Sequence, residues 1–218
     1  GYLNNDTNFA NYFGKMYQPR YLSGLAAGAM TDSNKIGYVA AFPIPEVIRG
    51  INAFAAGVNE VNPDATVEVV WTFTWFGPEA ETQAANALLE TGADVLAQHQ
   101  DSTATGLAAE AAGAKWISYN TAYGKDSAPE AFVTAPVWDW GPYYVDIVES
   151  IIDGTFSTES YWGGMETGLV SLYDLSSDVP SDIATLIGEK TDAIIDGTLE
   201  VEIVEEEFIS NVIGTVNP

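Results

Sequence analysis

The chain has 218 residues, with 31 Asp and Glu against 7 Lys and Arg, a formal net charge of −24 at pH 7 and 47% hydrophobic content. That much apolar material supports a sizeable core and excludes a disordered chain, while the charge argues against binding DNA, RNA or an anionic membrane surface. With no cysteine, disulfides, a thiolate nucleophile and cysteine metal sites are excluded as well.

The acidic residues are scattered through ordinary globular sequence, and only Glu205-Glu206-Glu207 approaches a block. This pattern favours a protein suited to concentrated salt, where the Debye length shrinks to about 3 Å at 1 M, over simple solubility. No apolar run reaches the roughly 18 residues that a membrane-spanning helix needs, and no basic segment followed by an apolar one opens the sequence.

In chain order, Gly1 to Asn11 is polar and reads as a linker or the end of a strand begun elsewhere. From Tyr12 through Met30 a helix is expected, with Pro19 near its first turn and small residues that allow close packing on a sheet. Ile36 to Phe42 is a short, almost wholly apolar run that suits a strand buried on both faces. Pro43 and Pro45 end it, and from Glu46 the apolar residues Val47, Ile48, Ile51, Phe54, Ala55 and Val58 mark one face of a helix. A strand-to-helix turn in a parallel sheet lies where such proteins keep ligands, so Phe42 to Glu46 is a candidate rim.

Asn62-Pro63-Asp64 is a turn, Val67 to Thr74 a second strand, and Glu79 to Glu90 a helix that Gly92 caps. Ala93 to Gln98 is a third strand, followed by a loop from His99 to Thr103 and a helix from Thr105 to Ala112. Lys115 to Tyr119 is a fourth strand, Asn120 to Pro129 a loop and Phe132 to Trp138 a fifth strand. Repeated strand-loop-helix units predict an α/β fold: a parallel sheet with helices on both faces. Beyond Trp138, a helix is expected from Gly141-Pro142 to Asp153 with Gly154 as its cap. A glycine-interrupted strand follows from Tyr161 to Leu172, then a helix from Ser181 to Asp196; Gly197 to Pro218 remains unassigned.

No Walker loop, G-x-G-x-x-G, G-x-S-x-G or zinc-ligand spacing occurs, so no catalytic residue, metal site or cofactor is expected. The one histidine, His99, sits beside Asp101 in QHQDS without a third member that would make a nucleophile. Aromatic and amide side chains do recur at successive strand ends: Phe42, Trp75 with Phe76, His99 with Gln100 and Asp101, Tyr119 with Asn120, and Trp138 with Trp140. Ends of parallel strands share one edge of the sheet, so these groups are expected to line a single cleft. Flat aromatic walls with a few carboxylate and amide groups suit a planar, nitrogen-rich heterocycle. Phe42, Trp75 and Trp138 are the stacking candidates, Asp101 and Asn120 the edge hydrogen-bonders, with His99, Gln100 and Trp140 beside them.

The stretches YFGKMYQPRYLSGLAAGAM, NKIGYVAAFPIPEVIRGINAFAAG, WFGPEAETQAANALLETGADVLAQHQDS, PVWDWGPYY and YWGGMETGLVSL together resemble the basic-membrane-protein family of ABC-transporter substrate-binding lipoproteins. The resemblance implies a type I periplasmic-binding fold of two lobes joined by crossing strands, purines or purine nucleosides as cargo, and a riboflavin-binding branch. It further implies an ABC permease as partner, a monomer, and an extracytoplasmic place with a lipid anchor in a segment ahead of Gly1. The family's first lobe would also precede Gly1, so residues 1–35 become a hinge crossing and first helix, and 36–137 the second lobe. Residues 138–172 would return to the first lobe, and 173–218 would be a crossing back with a C-terminal helix and tail. Nucleoside-binding members carry an aspartate and a lysine that reach the sugar, and the corresponding places here hold Asn120 and Trp138. Losing both weakens ribose recognition and sets adenine beside adenosine as the expected ligand. A sensor or regulatory module of the same fold is the rival reading.

Overall fold

A computed structural model describes residue 5, residues 7–120 and residues 122–216. Parts of the expected first crossing (residues 1–4 and 6), residue 121 of the loop after the fourth expected strand, and the last two residues of the unassigned tail lie outside the described residues. The elements run β1 (Tyr12–Gly14), α1 (Tyr17–Met30), β2 (Lys35–Ala40), α2 (Pro45–Val61), β3 (Thr66–Trp71), α3 (Pro78–Glu90), β4 (Val95–His99), α4 (Ala104–Ala112) and β5 (Lys115–Ile117). They continue with α5 (Gly124–Ser127), β6 (Phe132–Thr134), β7 (Pro136–Trp138), α6 (Gly141–Ile152), β8 (Tyr161–Gly163), β9 (Val170–Leu172), α7 (Ser181–Ile195) and β10 (Val212–Val216).

Six strands form one parallel sheet in the order β10-β3-β2-β4-β5-β6. Because side chains alternate along a strand, its two faces carry separate cores. Ile36, Tyr38 and Ala40 of β2 join Val67 and Val69 of β3 against α1 and α2, while Val39 and Val70 face α3 and α4. Helices cover both faces, and α7 extends the first core through Ile187 and Ile194 packed on α1. The buried apolar face of α2, Val47, Ile51, Phe54 and Val58, is the one its sequence period marks; each such side chain contributes roughly 1.5–3 kcal/mol by leaving water.

Several expectations are corrected. Tyr12 to Gly14 does not belong to the first helix: it is extended and pairs in parallel with β8, which binds its backbone from outside the main sheet. The small residues of α1 serve helix-on-helix packing as well, while the helix also lies against the strands. A Cβ at Gly24 would overlap the Phe54 carbonyl, and one at Gly57 the Tyr21 carbonyl, so α1 and α2 cross at backbone distance. The expected fifth strand is two. β6 stays in the main sheet, whereas β7 leaves it at Pro136, which has no N–H to donate, and pairs antiparallel with β9.

The loop from Asn120 to Pro129 contains the short helix α5, and the unassigned tail supplies the edge strand β10. β2 and β3 end before Phe42 and Thr74, and β4 runs one residue further than expected, so His99 closes a strand. Gly92 and Gly154 end their helices as expected, in the left-handed conformation glycine permits (φ 95° and 69°).

Candidate functional site

Four neighbouring strands of the sheet, β3, β2, β4 and β5, release the chain at the same edge. The segments just beyond them surround a broad cleft of about 540 Å³, lined by Phe13, Glu46, Trp75, His99, Asp101, Tyr119, Asn120, Trp138 and Trp140. That volume falls in the range of small-molecule pockets. One wall comes from the sheet edge, and the other from β1, the end of β7 and the start of α6.

The aromatic side chains are held by one another. Trp138 and Trp140 stack with ring centres 4.8 Å apart and planes 13° from parallel, and Phe13 meets Trp138 edge-on at 5.4 Å. Across the cleft, Trp75 lies 5.9 Å from the His99 ring, which lies 4.6 Å from that of Tyr119. Trp75 is 41% exposed, so its ring is free to meet a ligand.

The polar groups form a relay. The Trp138 indole N–H donates to Asn120 Oδ1 at 3.2 Å, and the Asn120 amide donates to Asp101 Oδ1 at 2.6 Å. Asn120 adopts a left-handed backbone (φ 72°), which asparagine tolerates better than most residues. The Asp101 N–H donates to the Trp75 carbonyl at 3.0 Å, tying the two strand-end loops together.

Glu46 sits in the first turn of α2, where the helix N-terminus favours a carboxylate. Burial nonetheless pushes its carboxyl above the ordinary range, opposed by the charges of Arg20 and Arg49. Its Oε2 lies 3.6 Å from His99 Nε2. His99 is buried, and burial together with the nearby Arg20 charge holds its pKa well below the usual value, so the ring is neutral at pH 7. Arg20 itself is wholly buried beneath the floor, its guanidinium 4.0 Å from the centre of the Tyr119 ring. The lining thus contains carboxylates, an amide and a neutral imidazole, but neither lysine nor arginine. Among the described residues no group of three or more His, Asp and Glu side chains is placed to hold a metal ion, and no helix is long and apolar enough to cross a membrane.

Of the residues expected at the site, Trp75, His99, Asp101, Asn120, Trp138 and Trp140 are brought together here. Phe42 does not line the cleft: its strand ends two residues earlier than expected, and its ring packs against Trp75 with centres 5.3 Å apart. Gln100 is wholly buried and donates to Thr72 Oγ1 at 2.5 Å, so it fixes the loop rather than facing the cleft. Phe13 was hidden by the helical reading of its segment, whereas Glu46 lies inside the rim that the proline pair marks. Tyr119 belongs to the strand-end series and forms the floor.

A family model described as "ABC transporter substrate-binding protein PnrA-like" matches residues 1–204. A Haloferax volcanii protein described as a putative ABC transporter glucose-binding protein is 43% identical over 194 residues, which span 89% of this chain and 49% of that one. A purine-binding protein of Brucella abortus is 39% identical over 200 residues, spanning 89% of this chain and 55% of that one. The chain therefore spans about half the length of these relatives. Among solved structures, an ABC transporter solute-binding protein from Aeropyrum pernix superposes with a TM-score of 0.80 at 17% identity, over 94% of this chain and 69% of that one. A transcriptional activator of the comK gene from Bacillus halodurans superposes with a TM-score of 0.81 at 21% identity, over 90% and 68%. One fold thus serves proteins of both descriptions.

Proposed function

The chain belongs to the family of PnrA-like ABC-transporter substrate-binding proteins, and on that premise we propose that its carboxyl-edge cleft binds a purine base or purine nucleoside. The observation that carries this reading is the lining itself: the Trp75 ring on one wall, the stacked Trp138 and Trp140 on the other, and carboxylates between them. Stacking on aromatic faces holds a planar ring, and carboxylate oxygens accept from its N–H groups. The Brucella abortus purine-binding relative supports the same choice.

The second half of the enclosure would come from another lobe, carried by the other half of a protein of the relatives' length. Ligand bridging two lobes would favour the closed form by its greater affinity for it, and closure would exclude water. The protein would then present its cargo, outside the cytoplasm and held by a lipid anchor, to an ABC permease; it would act by binding and release, with no chemical step. Phe13, Trp138 and Trp140 lie on the segments that lead out of the sheet lobe, where closure would be felt.

One observation favours a sugar as the second reading: the Haloferax volcanii relative is described as a putative glucose-binding protein. Hydroxyl groups also donate to carboxylates, and sugar rings pack on tryptophan. Calorimetric titration with adenine, adenosine, guanosine, inosine, riboflavin and glucose, in low and in high salt, separates the two. Saturable heat with a purine and none with glucose supports the purine reading, and the reverse pattern overturns it.

A further inference from the structure

Arg20 is a fully buried cation whose polar atoms are only partly used. Nη1 donates to the Gln98 carbonyl at 2.6 Å, while Nε and Nη2, the two donors of its other edge, have no hydrogen-bond partner among the described residues. The faces of Tyr119 and Tyr38, at 4.0 and 5.6 Å, attract the charge but do not satisfy those N–H groups. The Nδ1 atom of His99 is likewise buried without a hydrogen-bond partner among the described residues.

The two orphans border the same backbone position, Gly50. A Cβ built on Gly50 would stand 3.7 Å from Arg20 Nε and 3.9 Å from both Arg20 Cγ and His99 Nδ1. Buried polar atoms are seldom left unbonded, and a water suits a pocket that offers it polar partners on two sides.

We propose that a structural water beside Gly50 bridges the Nε/Nη2 edge of Arg20 to Nδ1 of His99, and that this water makes His99 a hydrogen-bond donor to the ligand. The polarity follows from the chemistry of the groups. Arginine N–H groups only donate, so when Nε–H and Nη2–H both give to the water its two lone pairs are taken, and it can meet Nδ1 only by donating a hydrogen, to which Nδ1 offers its lone pair. The single proton of the neutral ring therefore resides on Nε2, the nitrogen that faces Glu46 at the cleft. The floor then presents one donor beside the carboxylates of Glu46 and Asp101, a pattern that fits a ring nitrogen flanked by an amino group better than an edge of carbonyls. The tautomer stands whatever fills the cleft; its consequence for selectivity rests on the purine reading.

Because the chain has a single histidine, imidazole-nitrogen NMR of the 15N-histidine-labelled protein reports His99 alone. The expected spectrum at pH 7 has a pyrrole-type Nε2 and a pyridine-type Nδ1; the opposite tautomer overturns the proposal. Gly50→Ala puts a methyl group beside the proposed water and narrows the space left for it, at ordinary contact distance from Arg20 Nε and His99 Nδ1 and within a helix that accepts alanine. It is expected to remain folded by thermal melting and to turn the fixed tautomer into a mixture, whereas an unchanged tautomer in the folded variant excludes the water. His99→Gln keeps a donor near the place of Nε2, and His99→Asn keeps one near that of Nδ1. Adenosine is expected to bind the Asn variant about tenfold more weakly than the Gln variant, and equal affinities exclude the donor role. A wild-type protein that ignores adenosine but shows the Nε2–H tautomer would remove the purine reading and leave the water in place.

Discussion

Two helices have opposite fates in this molecule, and the more amphipathic of them is the one left at the surface. Twelve of the fourteen residues of α1 are buried between the sheet, α2 and α7, whereas none of the twelve in α6 is buried. On α6, Tyr144, Val145, Val148, Ile151 and Ile152 are all exposed, Ile152 at 77%. On α6, Tyr143 meets Tyr12 of β1 and Tyr161 of β8, two three-residue strands that pair with each other and with no other strand among the described residues. The sheet lobe closes its own core; the α6 region carries an apolar face without a core to place it in. An apolar helical face of this kind marks a surface meant to be covered. The other lobe proposed above is the body that would cover it, and the cleft lies where the two regions meet.

The core of the sheet lobe separates the two regions most strongly. Phe54→Ala in α2 removes a wholly buried ring beneath Tyr38 and is expected to lower the unfolding free energy by about 3–5 kcal/mol in chemical denaturation. A loss no larger than that of an α6 surface substitution would show that the sheet lobe is not the stable unit.

Next in size is a pH effect confined to the lobe. His99 is neutral and buried in the folded state, with its pKa depressed, so the unfolded chain binds a proton that the folded one refuses. Stability should therefore fall as pH drops below about 6.5, by up to about 1.4 kcal/mol per pH unit until the folded-state pKa is reached. Glu46, whose carboxyl is raised by burial, acts in the opposite sense below its own folded-state pKa and blunts the fall. His99→Gln should flatten the difference, as read by denaturation midpoints across that range. An unchanged slope would mean that the histidine is exposed or already charged.

The smallest effect is expected on α6. Ile152→Ser should change the stability of this 218-residue chain by no more than about 0.5 kcal/mol, since the side chain lies in solvent. In a protein that also carries the other proposed lobe, the same substitution should cost more, because the face would then be buried. Equal values in both would argue that α6 is an ordinary surface helix.

Much of this was legible in the residues. The change of hydrophobic period at Pro43 and Pro45, repeated at Trp75 to Pro78, marks the strand-to-helix turns, and the common edge of parallel strands brings Trp75, His99, Asp101 and Asn120 together. The topology of the crossings was not legible. Tyr12 to Gly14 and Tyr161 to Gly163 are short, and only their pairing across about 150 residues makes them strands. Phe42 and Gln100 carry the right chemistry at nearly the right place, but a shift of one or two residues at a strand end decides whether a side chain faces the cleft or supports it. The buried Arg20 gave no sign, because its helix shows an apolar period in which one cation passes unnoticed.

The central claim, that the aromatic cleft at the carboxyl edge grips a planar solute, is met most directly by calorimetric titration of adenosine into the wild-type protein and into Trp75→Ala. One saturable site is expected in the wild type, with an affinity at least about tenfold lower once the exposed ring is gone. Equal affinity in the two proteins would place the ligand elsewhere and contradict it.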